Sequence, residues 1–246
     1  LGDALRLDAE YGPAHLQRAD VLANLGEFET AQGLDPLPSY ERSVAAYGEA
    51  LRRGHDVAGV YNNLATVQVR VGDVEAAKGV DARPRYRTAV EGFGEAIRRK
   101  PDQADSYDNR GTAWRRIGEA EVKWNADPRE ALGRALTDHG SALERNPGIA
   151  SHWANRVAVW IRLAEAEPAS GSHPGTQYRK AVEDLTEALR LDPGYVAAHR
   201  ARGAVLLQIG ETAALRGEDP RDGYRRALED FEAVVQETPA SVAALL

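Results

Sequence analysis

A repeat of 46 residues constrains the architecture of this chain more than any other feature of its sequence. The same residue types return at this interval along the 246 residues, without an insertion or deletion between repeats. The clearest columns hold glycine, tyrosine and proline: Gly26, Gly72, Gly118 and Gly210; Tyr40, Tyr86, Tyr178 and Tyr224; Pro101, Pro147, Pro193 and Pro239. Because a period of roughly 20 to 50 residues is typical of stacked structural repeats, we expect a repeat architecture.

The period predicts five whole repeats in a single solenoid over residues 1–246. These repeats span residues 12–57, 58–103, 104–149, 150–195 and 196–241. Residues 1–11 match the end of a preceding repeat, and residues 242–246 match the start of a further one. The chain contains no methionine and begins at Leu1. The sequence therefore predicts a piece of a longer array.

Within each repeat, the small and apolar residues follow two helical patterns. In the third repeat, Tyr107, Gly111, Trp114 and Gly118 fall at i, i+4, i+7 and i+11, which is one face of a helix. A second helix is expected after an Asp-Pro pair, because aspartate caps free N–H groups and proline fits the first helical position. These pairs are Asp35-Pro36, Asp127-Pro128 and Asp219-Pro220. Each repeat is predicted to be helix, turn and helix, stacked on the next repeat.

The charge balance argues against several classes of partner. The chain has 31 lysines and arginines against 38 aspartates and glutamates, a formal net charge of −7, so its surface has no general attraction for phosphate backbones or anionic lipids. We therefore expect no nucleic acid and no membrane as partner, and no apolar run approaches the ~18 to 20 residues of a membrane span. Without cysteine, no disulfide, thiolate metal site or thiol nucleophile can form. Localisation is left open.

Two series of residues resemble the tetratricopeptide repeat (TPR). They are Trp153, Val157, Trp160, Ala164, Ala181, Leu185, Ala188 and Pro193, and Tyr107, Gly111, Trp114, Gly118, Ala135, His139, Ala142 and Pro147. The resemblance covers all five repeats and implies an all-α fold, a right-handed superhelical solenoid of antiparallel helix pairs. Because a repeat of that family has about 34 residues, about 12 are added here between the two helices. Residues 119–123, at the start of one such addition, are predicted to form extra turns of the first helix.

Residues suited to catalysis or metal binding are scarce, and we predict no enzyme active site, no metal and no cofactor. His15, His139 and His199 stand in columns otherwise held by aromatic residues, so core positions are favoured for them over ligand roles. His152 and His173 have no partner at the i, i+4 spacing of a helical metal site. The segment Gly92-Phe93-Gly94 lies inside a predicted helix and follows no strand, so it is not a dinucleotide-binding loop.

Arginine and aspartate recur together at a spacing of 28 residues. Arg110, Arg156 and Arg202 are followed at that distance by Asp138, Asp184 and Asp230, whereas Leu64 is followed by Gly92 and Arg18 by Ala46. An arginine among core-facing positions needs an acceptor, and in the last four repeats the aspartate is present only where the arginine is. We predict salt bridges that tie the two helices of a repeat together, in preference to a ligand-binding role.

Two further polar columns have a more functional character. Asn63, Asn109 and Asn155 recur at 46 residues, and seven residues later on the same helical face come Arg70, Arg116 and Arg162. The resemblance implies that the asparagines face the concave groove, where an amide that both donates and accepts can hold the backbone of an extended peptide. The six residues are our candidate peptide-binding site. The alternative is that the asparagine is simply common in the repeat and the arginines are a solvated face.

The sequence thus predicts a non-catalytic protein-interaction module that binds an extended, preferably acidic peptide on its concave face. Three neutral hydrogen-bonding sites of ~0.5 to 1.5 kcal/mol each fall short of the ~8 kcal/mol of micromolar binding, so side-chain pockets must add to them. Trp124 is one candidate for a pocket, although such a residue more often packs on its own helix. The alternatives are a scaffold that associates end to end through apolar helix faces, such as those of Val242, Leu245 and Leu246, and a regulatory arm of a larger enzyme.

Overall fold

The computed structural model describes residues 12–166 and 175–237, and every regular element within those ranges is an α-helix. The first six helices are α1 Gly12–Ala31, α2 Leu37–Arg52, α3 Ala58–Ala77, α4 Arg83–Arg99, α5 Ala104–Lys123 and α6 Arg129–Arg145. The next four are α7 Ala150–Ala166, α8 Gly175–Leu191, α9 Val196–Leu215 and α10 Arg221–Glu237. The predicted all-α class and the two helices in each repeat are confirmed.

The chain divides into two compact units, residues 1–138 and 139–246, and the division falls within α6. In the N-terminal unit, α1 packs on α2 and α3 on α4, while α2 also contacts α3 and α4 contacts α5. In the C-terminal unit, α7 packs on α8 and α9 on α10, and α8 contacts α9. Each unit is therefore a stack of helix pairs in which a second helix also contacts the first helix of the following pair. The apolar ends predicted at Val242, Leu245 and Leu246 lie outside the described residues.

The first helix of a repeat ends in a left-handed residue. Gly33, Gly79 and Gly217 have φ angles of 70°, 82° and 72°, which glycine adopts without steric cost. At the end of α3, Gly79 N–H donates to Ala76 O at 3.1 Å and Val80 N–H donates to Glu75 O at 2.9 Å, the two bonds of a Schellman turn. Because α1, α3, α5 and α9 are each 20 residues long, the predicted extra turns of the first helix are confirmed.

The second helix begins just after a capping aspartate. A carboxylate oxygen of Asp35 accepts the Leu37 N–H at 3.2 Å, and the same bond joins Asp127 to Arg129 and Asp219 to Arg221, each at 3.0 Å. The aspartate caps are confirmed. The first helical residue lies one position later than predicted, so that Pro36 is the N-cap residue of α2. Proline still fits there, because a residue before the first turn has no helical N–H bond to lose.

The glycine and tyrosine columns meet where the first helix crosses the second. A Cβ atom on Gly72 would lie 2.6 Å from Cε1 of Tyr86, and one on Gly210 would lie 2.7 Å from Cε1 of Tyr224. Real Cβ atoms do not approach so closely, so at these positions glycine lets the helix backbone rest on the ring. Glycine and tyrosine occur together in the first, second and fifth repeats, where each pair is one packing contact.

The predicted salt bridges between arginine and aspartate are confirmed. Arg156 Nε and Nη2 donate to the two carboxylate oxygens of Asp184 at 2.8 and 2.6 Å, and Arg202 binds Asp230 in the same way at 2.8 and 2.8 Å. Both carboxylates are buried. Trp160 Nε1 adds a third hydrogen bond to Asp184 at 3.0 Å. These two-point bridges join α7 to α8 and α9 to α10.

The second repeat lacks such a bridge because its place is taken by apolar packing. A Cβ atom on Gly92 would lie 3.0 Å from the Cβ of Ala65, so a larger side chain there would push the closely packed α3 and α4 apart. Phe93 is buried beside it. Gly92-Phe93-Gly94 lies within α4, which confirms its interpretation as helix and not as a phosphate-binding loop.

Candidate functional site

Asn63 and Arg70 line one pocket of the N-terminal unit. The pocket holds about 330 Å³, and its wall is mostly polar: Asp20, Ala23, Asn24, Glu27, Tyr47, Asn63, Thr66, Val67 and Arg70. Apart from Tyr47 of α2, these residues come from α1 and α3. We call the face of α1, α3 and α5 that carries the asparagine and arginine columns the A-helix surface. The structure therefore brings the predicted asparagine and arginine of one repeat to the same place.

Tyr47 closes the floor of this pocket with a neutral phenol. Its hydroxyl donates a hydrogen bond to Asp20 Oδ1. Burial raises the pKa of the Tyr47 phenol and the neighbouring Asp20 carboxylate raises it further, while the amide of Asn63 acts weakly in the opposite direction. The phenol stays protonated at neutral pH and keeps Asp20 fixed beside Asn63.

Asn109 is linked to Asn63 through a residue that the sequence did not single out. Asn62 Oδ1 accepts hydrogen bonds from Asn109 Nδ2 and from Ser106 Oγ, both at 3.2 Å, and Asn62 Nδ2 lies 3.5 Å from Asn63 Oδ1. Two asparagines of neighbouring repeats thus belong to one amide network. The bond to Asn62 uses one N–H of Asn109 and leaves part of its hydrogen-bonding capacity for other partners.

The arginines of this unit are already paired with carboxylates. Arg70 Nη2 lies 2.8 Å from Glu27 Oε1. Arg116 is held more tightly: its Nε lies 3.0 Å from Asp73 Oδ1, its Nη2 donates to Asp73 Oδ2 at 3.2 Å, and its Nη1 donates to Glu119 Oε2 at 3.1 Å. Each arginine therefore reaches back to the acidic residue of the preceding repeat. A signal for these partners was present, since the acidic column repeats at 46 residues: Glu27, Asp73, Glu119, Glu165 and Glu211.

Asn155 and Arg162 lie on α7 of the C-terminal unit. Asn155 is half-buried and Arg162 is exposed. The Arg162 guanidinium donates to Glu165 Oε2 of the same helix at 2.7 Å. The two residues occupy the same helical positions as Asn63 and Arg70 do on α3.

A second pocket of the N-terminal unit involves Trp124. It holds about 400 Å³ and is lined by Asp73, Ala76, Ala77, Val80, Ala82, Tyr86, Arg116, Glu119, Ala120, Lys123 and Trp124. Trp124 is 45% exposed, so the expectation that it forms part of a pocket agrees with its position. Tyr86 donates from its hydroxyl to Asp73 Oδ1 at 2.9 Å, and burial followed by the Asp73 charge raises the pKa of the Tyr86 phenol.

The histidines do not assemble a site within the described ranges. His15 and His139 are buried, as predicted for core positions. His199 is half-buried, and its ring nitrogens lie 2.8 Å from Asp230 Oδ1 and 3.0 Å from Pro193 O. His173 lies outside the described residues. Over residues 12–166 and 175–237, no group of three or more histidines or carboxylates is placed to hold a metal ion, and no helix is both long and apolar enough to cross a membrane.

Comparison with known proteins identifies the fold. No protein-family model matches the chain, and no curated protein matches its sequence. Among solved structures, TTC0263, a thermophilic TPR protein of Thermus thermophilus, superposes with a TM-score of 0.59 at 17% identity, covering 92% of this chain and 94% of that one. A chain of the APC/C hetero-tetramer Cut9-Hcn1 has a TM-score of 0.56 at 14% identity, covering 97% and 36%.

The MamA RS-1 ArsTM double mutant gives a third match, with a TM-score of 0.53 at 16% identity, covering 91% of this chain and 96% of that one. Identities this low carry information about the fold and none about ligands. The chain has the all-α helical repeat fold of tetratricopeptide proteins, as the resemblance of its repeats implied.

Proposed function

We propose that this chain is a non-catalytic interaction module that binds an extended peptide on the A-helix surface. In the N-terminal unit, the amides of Asn63 and Asn109 bond the peptide backbone. The observation that carries the proposal is the open, mostly polar pocket in which Asn63 and Arg70 lie together. An amide offers both a donor and an acceptor, which is what a peptide bond needs from a partner. In the C-terminal unit, Asn155 and Arg162 are proposed to act in the same way.

Arg70 supplies the proposed preference for acidic peptides. Its side chain is 39% exposed, and its ion pair with Glu27 engages Nη2. A guanidinium has five N–H groups, so further donors remain for a ligand carboxylate. Arg116 donates from Nη1 to Glu119 and from Nη2 to Asp73, and its Nε lies 3.0 Å from Asp73 Oδ1. We therefore assign Arg116 the role of fixing neighbouring repeats together, with a smaller share in binding.

The proposal is tested with an array of peptides of about twelve residues, long enough to span roughly 40 Å when extended. The tightest binder is then labelled, and its Kd is measured by fluorescence anisotropy. Asn63→Ala combined with Asn109→Ala removes two amide sites of ~1 kcal/mol each, so the Kd is expected to rise roughly 30-fold. Gln236→Ala removes an exposed amide of α10 and serves as the matched control. An unchanged Kd in the double variant would contradict the proposal.

A scaffold that associates with further copies of itself is the second candidate. The observation that favours it is an apolar patch on α10, where Leu228 and Val235 are 58% and 57% exposed. If this candidate is right, the mass measured by sedimentation rises with protein concentration and Leu228→Glu combined with Val235→Glu abolishes the rise. A monomer mass at all concentrations would exclude it.

A further inference from the structure

The pocket beside Trp124 differs from its counterpart one repeat earlier. We call it the Trp124 pocket and define it by the eleven lining residues given above. It lies between the ends of α3 and α5, with Tyr86 of α4 at its side. Most of these residues belong to the part of the repeat that exceeds the ordinary TPR length. The pocket adjoins the A-helix surface, because Arg116 belongs to both.

In the preceding gap, between α1 and α3, an ion pair crosses from one repeat to the other. Lys78 stands at the position of Trp124, and its Nζ donates to both carboxylate oxygens of Asp35 at 2.9 Å. One repeat later the lysine is replaced by Trp124, and Asp81, the counterpart of Asp35, is held at 2.7 Å by Arg83. The crossing ion pair is absent, and Trp124, 45% exposed, stands with Val80, 52% exposed. Leu34, the counterpart of Val80, is also apolar and exposed, so the tryptophan is what distinguishes this gap.

The backbone holds Trp124 in place. Its N–H donates to Ala120 O at 3.0 Å, and Ala126 N–H donates to Glu121 O at 2.7 Å, so the residue lies within a hydrogen-bonded Schellman turn. Asn125 takes the left-handed position of this turn with a φ of 54°. An aromatic residue on an ordered turn binds with less loss of backbone entropy than one on a flexible loop, since its backbone is already positioned.

The rim of the pocket carries one cation without a carboxylate partner in the described part of the chain. Lys123 Nζ donates to Ala76 O at 3.0 Å and makes no ion pair there. Arg116, by contrast, is neutralised by Asp73 and Glu119. The combination of Lys123 and Trp124 occurs in no other repeat, where the two positions hold Ala31 and Gln32, Ala77 and Lys78, Ala169 and Ser170, and Leu215 and Arg216.

We propose that the Trp124 pocket binds an aromatic side chain of the peptide ligand, and that a neighbouring carboxylate of the same ligand pairs with Lys123. This inference rests on the proposed peptide-binding function and names the residue type that the ligand presents. The ring stacks on Trp124 and contacts Val80, whose exposed surfaces are then removed from water. The carboxylate meets the one rim charge that the residues of the described ranges leave uncompensated.

The test uses capped dipeptides, so that it does not depend on binding along the asparagine row. Acetyl-Phe-Glu-amide is titrated to about 10 mM, the range in which a ligand of this size binds, and the backbone amide signals of Val80, Ala120 and Asn125 are followed by NMR. We expect these signals to shift with a saturating curve. Acetyl-Ala-Glu-amide is expected to shift them little, and acetyl-Phe-Lys-amide to bind several-fold more weakly. Equal shifts with the alanine and phenylalanine dipeptides, or no shift at all, would overturn the proposal.

Two variants separate the pocket from the rest of the surface. Trp124→Lys recreates the residue found at Lys78 and is expected to abolish binding while the thermal melt is unchanged. Lys123→Ala is expected to remove the preference for glutamate over lysine. Asn63→Ala with Asn109→Ala leaves dipeptide binding intact. If the dipeptide binds but the asparagine variants do not change the Kd of the array peptides, the pocket proposal is supported and the proposed binding of the peptide backbone is wrong. If the asparagine variants weaken the binding of the array peptides but Trp124→Lys does not, only the pocket proposal is wrong.

Discussion

The guanidinium of Arg110 and the carboxylate of Asp138 form a two-point salt bridge between α5 and α6. Nε donates to Oδ2 at 2.8 Å and Nη2 to Oδ1 at 2.7 Å. The carboxylate is buried, while the guanidinium is about a quarter exposed. The Asp138 hydrogen bond outweighs burial and raises the pKa of Arg110, as expected for a cation that gains a partner on folding.

Removing only one partner of this bridge is expected to destabilise the N-terminal unit strongly. Arg110→Leu leaves the Asp138 carboxylate buried and unpaired, and is expected to lower the free energy of unfolding by about 2 to 4 kcal/mol. The loss is somewhat smaller than for a fully buried salt bridge, because Arg110 is partly exposed to solvent. Arg110→Leu with Asp138→Gly reproduces the natural combination of Leu64 and Gly92. The double variant should recover part of the lost free energy of unfolding, which urea unfolding measures. A double variant no more stable than Arg110→Leu would show that the stability of this region does not depend on the pair alone.

The 46-residue period was sufficient to predict the helix pairs because each column marks a place where helices touch. Gly72 and Tyr86 recur together for that reason. The pairing of Arg110 with Asp138 was also predictable, because the second repeat lacks both partners at once: Leu64 replaces the arginine and Gly92 replaces the aspartate. These are contacts within one repeat, and the sequence of that repeat contains both partners.

Contacts between repeats were harder to predict. Arg70 and Glu27 lie 43 residues apart. An alignment of the repeats at 46 residues places arginine beside arginine and acid beside acid, so it does not show that an arginine of one repeat binds an acid of the one before. The acidic column was visible, yet only the structure shows which arginine reaches back to it. Asn62 was missed for a different reason: its column holds Leu16, Asp108, Ala154 and Arg200 and has no repeated chemistry.

The bridge between Arg202 and Asp230 predicts a pH dependence of stability. Burial disfavours the ionised form of Asp230, but hydrogen bonds from Arg202 and His199 outweigh it, so the pKa of Asp230 lies below its ordinary value of 3.8. A carboxyl group whose pKa is lowered on folding stabilises the protein above its unfolded pKa, and this contribution is lost as the pH falls through its folded pKa.

The expected result is therefore a stability difference between the native chain and Asp230→Asn that is constant at about pH 5 to 7 and shrinks below about pH 4. Urea unfolding at each pH measures it. Asp102→Asn, at an exposed aspartate, controls for the general effect of removing a carboxylate. A difference that stays constant down to about pH 2 would show that Asp230 does not titrate with folding.

The ion pair between Glu27 and Arg70 predicts how binding of acidic peptides responds to a single substitution. Glu27 competes with a ligand carboxylate for the Arg70 guanidinium. Both side chains are substantially exposed, and an exposed pair contributes ~0.2 to 1 kcal/mol. Glu27→Gln removes the competitor while it keeps the side-chain length, so we expect the Kd of a glutamate-containing peptide to fall by up to about fivefold.

Fluorescence anisotropy checks this expectation at about 0.05 M and 0.3 M salt, because a gain that comes from exposed charges fades with screening. Glu218→Gln changes the net charge equally at an exposed position of the C-terminal unit and should leave the Kd unchanged. A peptide with lysine in place of glutamate should gain nothing from Glu27→Gln. If the glutamate peptide binds Glu27→Gln no better than the native chain, Arg70 serves to join repeats and the ligand does not use its charge.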